Sequence, residues 1–291
     1  KTDIFEQARP RLTGLAYRML GSYSEAEDAV QETYLKWLSA DIRDIQNPDG
    51  WMTTVCARLC LDHLKSAQRT RTDYVGTWLP EPVGAEHLKD GLYDLEISAS
   101  LSTSFLLLLE RLTPKERAAF LLKEIFDQPY SEVAKNLEIS EANCRKLVSR
   151  AKSVVGKPSA RGTIAEDRKK QYVSAFAKAI TEGDTVQLSA LLSEDIHIHT
   201  DCGGKVPAAS RTIIGKQEAL LFSERILIRF WQEASLEVLD VNGSTGLLIR
   251  TEDGPHALAT FEANTTGEFT TLYITRNPDK LKHFQTNATL A

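Results

Sequence analysis

Apolar residues recur at three- and four-residue spacing through the first part of the chain, from residue 1 to about residue 71. This is the spacing of amphipathic helices, which bury one face. Gly21 predicts the end of the first helix, because glycine readily takes the left-handed conformation that closes a helix. Ser24 followed by Glu27 is typical of a capping box, and it predicts the start of a second helix that runs to about Ser39.

Two breaks then divide the helical pattern. The run Asn-Pro-Asp-Gly at 47–50 interrupts the chain and predicts a third helix from Trp51 to about Arg69. Residues 74–94 are rich in proline and glycine near their start and lack periodicity, so we expect a linker there. A second helical block follows from about residue 95 to residue 155, and Thr-Pro-Lys-Glu at 113–116 predicts a capped helix start inside it.

The end of this block has the pattern of a DNA-binding helix-turn-helix. A short helix over 130–137, a tight turn at 138–139 and a longer helix over 140–154 give that layout. Residues 140–157 carry five basic side chains and one acidic side chain. Base edges and phosphates are read by polar and basic side chains on such a helix, and a solvated surface helix is the alternative interpretation. The candidate DNA-binding residues are Asn143, Arg145, Lys146, Ser149, Arg150 and Lys152.

The pattern changes after a short linker at 157–163. Helical stretches over 164–180, 184–191 and 216–230 enclose a strand-like alternation at 196–199. Four further strand-like runs, with glycines at or near the gaps between them, predict an antiparallel meander. They lie at 232–241, 245–251, 256–263 and 268–275. Helices followed by such a meander indicate an α+β domain with a curved sheet.

Composition narrows the class of protein. The chain has 291 residues, 42% of them hydrophobic and 26% charged, with four scattered cysteines. No apolar run approaches the length of a membrane helix and no segment has the order of a signal peptide, so we expect a cytoplasmic protein without disulfides or membrane contact. The net charge of −5 argues against coating of nucleic acid by bulk charge, although a local basic patch still suffices for DNA binding.

Two segments resemble the extracytoplasmic-function sigma factors of bacterial RNA polymerase. Residues 15–21 running into 26–37 resemble sigma region two, and residues 112–150 resemble sigma region four. The resemblance implies that the second helix docks on the clamp helices of the polymerase largest subunit, that the flap region is also contacted, and that region four reads the promoter's minus-thirty-five element. The implied polymerase-binding residues are Asp28, Gln31, Glu32 and Lys36. On the same helix we expect Ala29, Val30, Leu35 and Leu38 to face a core.

The loop at 41–50 and the helix after it match the part of region two that faces the minus-ten element. In the family this loop captures a flipped promoter base, which requires polar groups and a stacking surface. Trp51 is also a candidate core anchor at the helix start. Basic side chains further along the helix are suited to phosphates. The candidate minus-ten residues are Asn47, Trp51, Arg58, Lys65 and Arg69.

The C-terminal part resembles a SnoaL-like domain of the nuclear-transport-factor-two-like superfamily, as found in one sigma subgroup. The expected fold is multidomain, with two all-α sigma domains and an α+β cone with a curved antiparallel sheet. We expect region two at 1–72, a linker at 73–94, region four at 95–156, a linker at 157–163 and the SnoaL-like domain at 164–291. In the subgroup the tail is thought to control the sigma regions in cis.

Three short signatures carry this second resemblance. They are Trp78-Leu79-Pro80-Glu81-Pro82 in the linker, Asp201-Cys202-Gly203-Gly204-Lys205, and Asn277-Pro278-Asp279-Lys280-Leu281. Cys202 stands where the subgroup usually has glycine, so the loop shape is expected to differ. Trp78 either docks on another domain or caps the nearest sigma core. Asn277-Pro278 either belongs to a regulatory contact or ends the last strand.

Two side-chain clusters and the helix-turn-helix itself suggest other functions. His197, His199 and Asp201 alternate along one strand and share a face, an arrangement that could support proton transfer, yet nothing else completes a catalytic set, so we expect no enzyme. Cys56, Cys60 and His63 share a helical face but lack zinc-site spacing, so we expect no metal and no cofactor. The alternative function is a ligand-regulated helix-turn-helix regulator. The sequence does not decide whether the pocket of the tail binds a small ligand.

Overall fold

The computed structural model describes residues 1–41, 43, 45–72, 74, 76–84, 101–156, 164–209 and 211–285, without the side chains of 67–72. The chain forms two compact units. The first contains Lys1–Thr72 and His87–Ala160, and the second contains Asp73–Glu86 and Arg161–Ala291. The second part of the predicted linker, at 85–94, the start of the second helical block at 95–100 and the linker at 157–163 lie outside the described residues.

The first unit is helical. Gly21 ends the first helix with φ of 68°, as predicted. The second helix is capped by Ser22, whose hydroxyl accepts from the amide of Glu25 at 3.3 Å, so the prediction of Ser24 as the cap is wrong by two residues. Its helices are α1 (Thr2–Leu20), α2 (Tyr23–Ser39), α3 (Pro48–Thr72), α4 (Thr103–Leu109), α5 (Pro114–Phe120), α6 (Tyr130–Asn136) and α7 (Glu141–Val155).

Residues from both halves of the first unit pack together. The predicted capping box at Thr113 and Glu116 is confirmed at the start of α5, which continues into a π-helical turn at Leu121–Ile125. Behind it, the buried Arg117 donates to the carbonyl of Met19 at 2.5 Å and to Glu110 at 2.6 Å. The bond to Met19 ties α5 to the end of α1, and the bond to Glu110 ties it to the end of α4.

The second unit is a mixed sheet with helices. Its described strands are β1 (Leu192–Asp201), β2 (Ile213–Ile214), β3 (Ser235–Val241), β4 (Ser244–Thr251), β5 (Gly254–Ala263) and β6 (Phe269–Thr275), in the order β2-β1-β6-β5-β4-β3. β3 to β6 form the predicted antiparallel meander. The pairing of β1 with β6 is parallel.

The helices of this unit lie before and between the strands. They are α8 (Glu166–Glu182), α9 (Thr185–Leu191), α10 (Lys216–Phe222) with a π-helical turn at Ser223–Ile228, α11 (Arg229–Trp231), and a 3₁₀ helix at Pro278–Phe284 that periodicity did not predict. The interior between helices and sheet is filled by large apolar side chains. Phe176 of α8, for example, packs edge-on against Phe261 at 5.3 Å and Phe269 at 6.0 Å.

Candidate functional site

The second helix presents a mixed acidic and apolar stripe to solvent. Gln31 and Glu32 lie three and four positions after Asp28, Leu35 lies four and three positions after them, and all four side chains are exposed. Leu35 is 59% exposed and Leu38 is 41% exposed, so the prediction that both face a core is wrong. Ala29 and Val30 are buried as predicted. Lys36 lies beside this stripe and pairs with Glu32 at 3.4 Å, a solvated contact of small energy.

The loop and helix of the candidate minus-ten surface are held by local contacts. The side-chain oxygen of Asn47 accepts from the amide of Gly50 at 3.0 Å and thereby caps the first turn of α3. Trp51 packs against the buried Trp37 with ring centres 5.6 Å apart, which accounts for its role as an anchor. Lys65 pairs with Asp62 at 2.8 Å. The side chain of Arg69 lies outside the described residues.

Arg58 of α3 contacts the turn of the helix-turn-helix. Its guanidinium donates to the carbonyl of Asn136 at 3.1 Å and pairs with Glu138 at 3.0 Å. One helical turn earlier, Thr54 donates to the amide oxygen of Asn136 at 2.6 Å. These contacts hold Arg58, a candidate minus-ten residue, against the turn through its Nε and one terminal nitrogen.

The helix-turn-helix has the predicted layout. Cys144, Val148 and Ala151 of α7 are buried, and Glu138 takes the left-handed φ of 54° that makes the turn tight. All six predicted DNA-binding residues of α7 are exposed. Lys152 pairs with Glu124 at 2.7 Å, and this hydrogen bond raises the pKa of the ammonium.

A second cluster gathers around the buried carboxylate of Asp201 at the end of β1. One of its oxygens accepts from the Tyr74 hydroxyl at 2.6 Å and from the amide of Gly203 at 3.0 Å. The other accepts from the amide of Leu79 at 2.9 Å and from the Lys280 ammonium at 2.7 Å. Asp201 is 0% exposed, so these donors replace water around its charge.

Lys280 completes this cluster, which we call the linker clamp and define as Tyr74, Trp78, Leu79, Asp201 and Lys280. The ammonium also donates to the carbonyl of Leu79. It lies 4.5 Å from the centre of the Trp78 ring and 5.2 Å from that of Tyr74, so two aromatic faces share its charge. Burial, with a smaller contribution from Asp201, raises the pKa of the Tyr74 hydroxyl well above its ordinary value, which keeps it a donor.

The rest of the proline-rich segment follows the edge of the same unit. The backbone amide of Val83 donates to the side-chain oxygen of Asn242 at 2.8 Å, and the carbonyl of Val83 accepts from the backbone amide of Asn242 at 2.9 Å. The nearly buried carboxylate of Glu81 lies 3.3 Å from the imidazole of His283. Pro80 and Pro82 are buried beside them.

The two remaining signatures meet at Asn277. Its amide nitrogen donates to the Tyr74 hydroxyl at 3.0 Å, and its oxygen accepts from Asp279 at 3.1 Å to cap the 3₁₀ helix that contains Pro278 and Leu281. Gly203 has φ of 59°, and a Cβ there would lie 2.4 Å from the Asn277 amide. Gly204 also has a positive φ, and Lys205 pairs with Asp279.

Matches to known proteins decide the family. Residues 4–70 match the Sigma-70 region 2 family, and residues 102–153 match Sigma-70, region 4. The ECF RNA polymerase sigma factor SigJ of Mycobacterium tuberculosis strain H37Rv is 35% identical over 95% of this chain and 91% of its own. The chain belongs to the extracytoplasmic-function sigma factors. The crystal structure of SigJ has a TM-score of 0.75 to this chain at 30% identity, with 97% and 98% of the two chains covered.

A second relative shares a smaller part of the chain. The probable ECF sigma factor SigI of Mycobacterium tuberculosis strain CDC 1551 is 32% identical over 65% of this chain and 65% of its own. As an extracytoplasmic-function sigma factor with a SnoaL-like tail, the chain binds core RNA polymerase and promoter DNA and directs promoter-specific initiation. The predicted multidomain fold class is confirmed.

In this sigma factor the alternating side chains of β1, His197, His199 and Asp201, do not form a histidine–carboxylate pair among the described contacts. His197 and His199 share a face, with rings 6.3 Å apart, and Tyr273 stacks on His199 at 5.4 Å. Asp201 uses its oxygens on the linker clamp. Burial, and then the charge of His197, lowers the pKa of His199.

The cysteines of the sigma factor are buried thiols in the described part of the chain. Among those residues no group of three or more His, Cys, Asp or Glu side chains is arranged to hold a metal ion. Cys202 does not take a positive φ, whereas Gly203 and Gly204 do. Cysteine at this position is therefore accommodated without a left-handed backbone conformation.

The sequence missed four residues that build the clamp and its surroundings, namely Tyr74, Asn242, Lys169 and His283. Tyr74 and Asp201 are 127 positions apart, and Val83 and Asn242 are 159 positions apart. Lys169 of α8 donates to Ser244 at 2.5 Å and fastens α8 to β4. The one local signal was an aromatic residue four positions before Trp78.

Proposed function

We propose that the C-terminal domain controls this sigma factor in cis by holding the linker that joins its two sigma regions. The observation that supports the proposal is the linker clamp. Residues 73–86 belong to the same compact unit as the tail, and Tyr74 and Leu79 contribute two of the four donors to Asp201. A linker fastened at these points has less conformational freedom than a solvated one.

The chain's connectivity gives the clamp its effect. Residue 72 ends α3 and residue 103 begins α4, so the fastened segment lies between the two regions that bind polymerase and promoter. Opening the clamp releases the described part of the linker, residues 74 and 76–84, from the tail. Removing one partner of a buried ion pair such as Asp201 with Lys280 leaves the other charge buried without compensation, so a single substitution at either residue should open the clamp.

We also propose which surfaces meet the partners. The stripe of Asp28, Gln31, Glu32 and Leu35 is proposed to dock on the clamp helices of the polymerase largest subunit, because an exposed apolar residue among acidic groups suits a basic partner surface with an apolar centre. The loop before α3 is proposed to meet the minus-ten element, α7 the minus-thirty-five element, and region four the flap. No observation favours the ligand-regulated repressor.

The location of the protein follows from its partner. We place it in the cytoplasm, where RNA polymerase and promoter DNA are. Within the described ranges, no helix combines the length and apolar character needed to span a bilayer.

The test of cis control is run-off transcription with purified core polymerase on a template from the protein's own upstream region. The full chain is compared with Lys280→Met, which removes the ammonium but keeps a long apolar stem, and with a chain ending after Lys157. The control is Lys216→Met, which breaks a lysine–carboxylate pair away from the linker, to the exposed Glu194 at 3.1 Å.

Each outcome has a defined meaning. Higher activity of Lys280→Met and of the truncated chain supports inhibition by the tail, and lower activity of both supports a tail that arranges the complex. If both equal the full chain and the Lys216→Met control, control through the clamp is wrong. If no form initiates while a reference sigma factor does, the assignment to promoter-specific initiation is itself contradicted.

A further inference from the structure

The first residue of α6 contacts the helix proposed to read DNA. The guanidinium carbon of Arg145 lies 4.2 Å from the centre of the Tyr130 ring. Tyr130 follows Pro129, whose carbonyl accepts from Glu132 and Val133 at 3.0 Å each and fixes the backbone at the helix start. The ring is thus presented from a rigid element to a side chain on α7.

The contact constrains a side chain that otherwise has much freedom. The Arg145 side chain is 60% exposed, and its bond to Glu141 on the preceding turn is long at 3.5 Å. An arginine loses considerable rotamer entropy when it is immobilised on a partner. Stacking on an aromatic ring selects one orientation before binding and so reduces that loss.

The geometry leaves the hydrogen-bonding capacity of Arg145 available. A guanidinium stacks through its flat face but donates its five N–H groups in its own plane. The pair of parallel donors that recognises O6 and N7 of guanine is used in that plane. Stacking on Tyr130 and bidentate contact with a base edge are therefore compatible.

We propose that Tyr130 is a positioning residue for promoter recognition, which holds Arg145 in the orientation that reads one base pair of the minus-thirty-five element. This inference rests on the proposed function of α7. It assigns to Tyr130 no contact with a base of its own. The effect is on the discrimination between bases at the position that Arg145 reads, because orientation matters most for bidentate contacts.

The same helix offers an internal comparison. Lys152 is held by Glu124, on a different neighbouring segment. In the described part of the chain neither Lys146 nor Arg150 forms an ion pair or a stack with an aromatic ring. Loss of the Tyr130 ring should therefore act on Arg145, and on Lys123, whose ammonium lies 5.5 Å from the ring centre, and leave the contribution of Arg150 unchanged.

The experiment measures base preference with the whole chain in holoenzyme. Core polymerase is assembled with wild-type chain or a variant, and transcripts are counted from a template library randomised through the minus-thirty-five element. Arg145→Ala first identifies the base pair that Arg145 reads. Tyr130→Leu, which removes the ring, is then compared with Tyr130→Phe, which keeps it, and each is combined with Arg145→Ala and with Arg150→Ala.

The expected result is a local change in specificity. Tyr130→Leu should lower the preference at the Arg145 position by about 2- to 5-fold, the range of an exposed cation–π contact. Tyr130→Phe should stay close to wild type. In the Arg145→Ala background Tyr130→Leu should have no further effect, whereas in the Arg150→Ala background its effect should be complete.

Contrary results are equally distinct. If Tyr130→Leu lowers transcription alike at all positions, or does so in the Arg145→Ala background as well, Tyr130 is a structural residue and the proposal is overturned. The proposal also fails if Arg145→Ala changes no base preference while Arg150→Ala does. If no α7 variant changes any preference, promoter reading by α7 fails first.

Discussion

The linker clamp and the polar face of α7 use charged side chains in opposite ways. Asp201 is 0% exposed and receives four hydrogen bonds, and its partner Lys280 is 11% exposed. On α7 the paired side chains Arg145 and Lys152 are 60% and 51% exposed. A carboxylate with its acceptor positions filled has no capacity for an outside partner, whereas solvated cations keep theirs. The burial of the charged groups therefore distinguishes a contact within the chain from a surface that is available to another molecule.

Removing the buried charge should give the largest effect on stability. In Asp201→Ala the Lys280 ammonium stays buried without its carboxylate, so we expect the free energy of unfolding of the second unit to fall by about 3–5 kcal/mol. Urea unfolding followed by tryptophan fluorescence measures it, since Trp78 and Trp231 lie in this unit.

The control for Asp201→Ala is an exposed ion pair in the same unit. Lys205→Ala breaks the ion pair between Lys205, 52% exposed, and Asp279, 47% exposed. This substitution should change the free energy of unfolding by less than about 1 kcal/mol. Equal effects of the two substitutions would show that burial does not distinguish the clamp from the surface.

An exposed apolar residue should show the reverse behaviour. Leu35→Glu should leave the unfolding free energy within about 0.5 kcal/mol of wild type, because Leu35 is 59% exposed. Its affinity for core polymerase should fall at least about tenfold, as for an anchor at the centre of an interface. Competition with a labelled reference sigma factor measures the affinity.

The matched variant for Leu35→Glu is Val186→Glu in the tail. Val186 is 79% exposed, so the substitution adds the same charge to a site that is even more solvated than Leu35. Unchanged affinity in Leu35→Glu, or the same loss in Val186→Glu, would remove the α2 stripe from the polymerase interface.

Much of the fold could be predicted because its signals are local. The capping box at Thr113, the glycine stop at Gly21 and the spacing of Cys144 and Val148 each act within one or two helical turns. Periodicity does not say what covers an apolar residue, so the prediction of a core position for Leu35 is wrong and the chain leaves this side chain exposed.

The clamp is different because its partners are far apart in the sequence. The resemblance identified Asp201 and Lys280 but not Tyr74, whose hydroxyl reaches Asp201 across 127 positions and Asn277 across 203. No local pattern marks such a contact. The parallel pairing of β1 with β6 likewise joins strands that are separated in the sequence by β2 to β5, so no local pattern predicts it.

Backbone strain in the clamp loop should have the next largest effect. In Gly203→Ala the new Cβ sits at φ of 59° and 2.4 Å from the Asn277 amide, so both strain and a clash arise. We expect a loss of about 2–3 kcal/mol, compared with about 1–2 kcal/mol for Gly183→Ala, where φ is 68° but the nearest atoms are 3.9 Å away. Thermal unfolding of the two variants measures the difference, and equal losses would mean that Asn277 moves aside freely.

The smallest effect should come from His199, which lies between the two extremes as a partly buried group outside the clamp. Burial, and then the charge of His197, lowers the pKa of His199 below its ordinary value. The folded chain therefore binds fewer protons at this group than the unfolded chain does. Stability from this group is present above an unfolded pKa of about 6.5 and is lost as the pH falls through the folded pKa. His256 shifts in the same direction, because of burial and then Arg276. The melting temperature should therefore drop between about pH 7.5 and pH 5.5, and the drop should be shallower in His199→Gln. An identical pH dependence in His199→Gln would show that His199 contributes no more to the pH dependence of stability than a solvated residue of α7 does. Partial burial alone would then not distinguish a buried site from a solvated one.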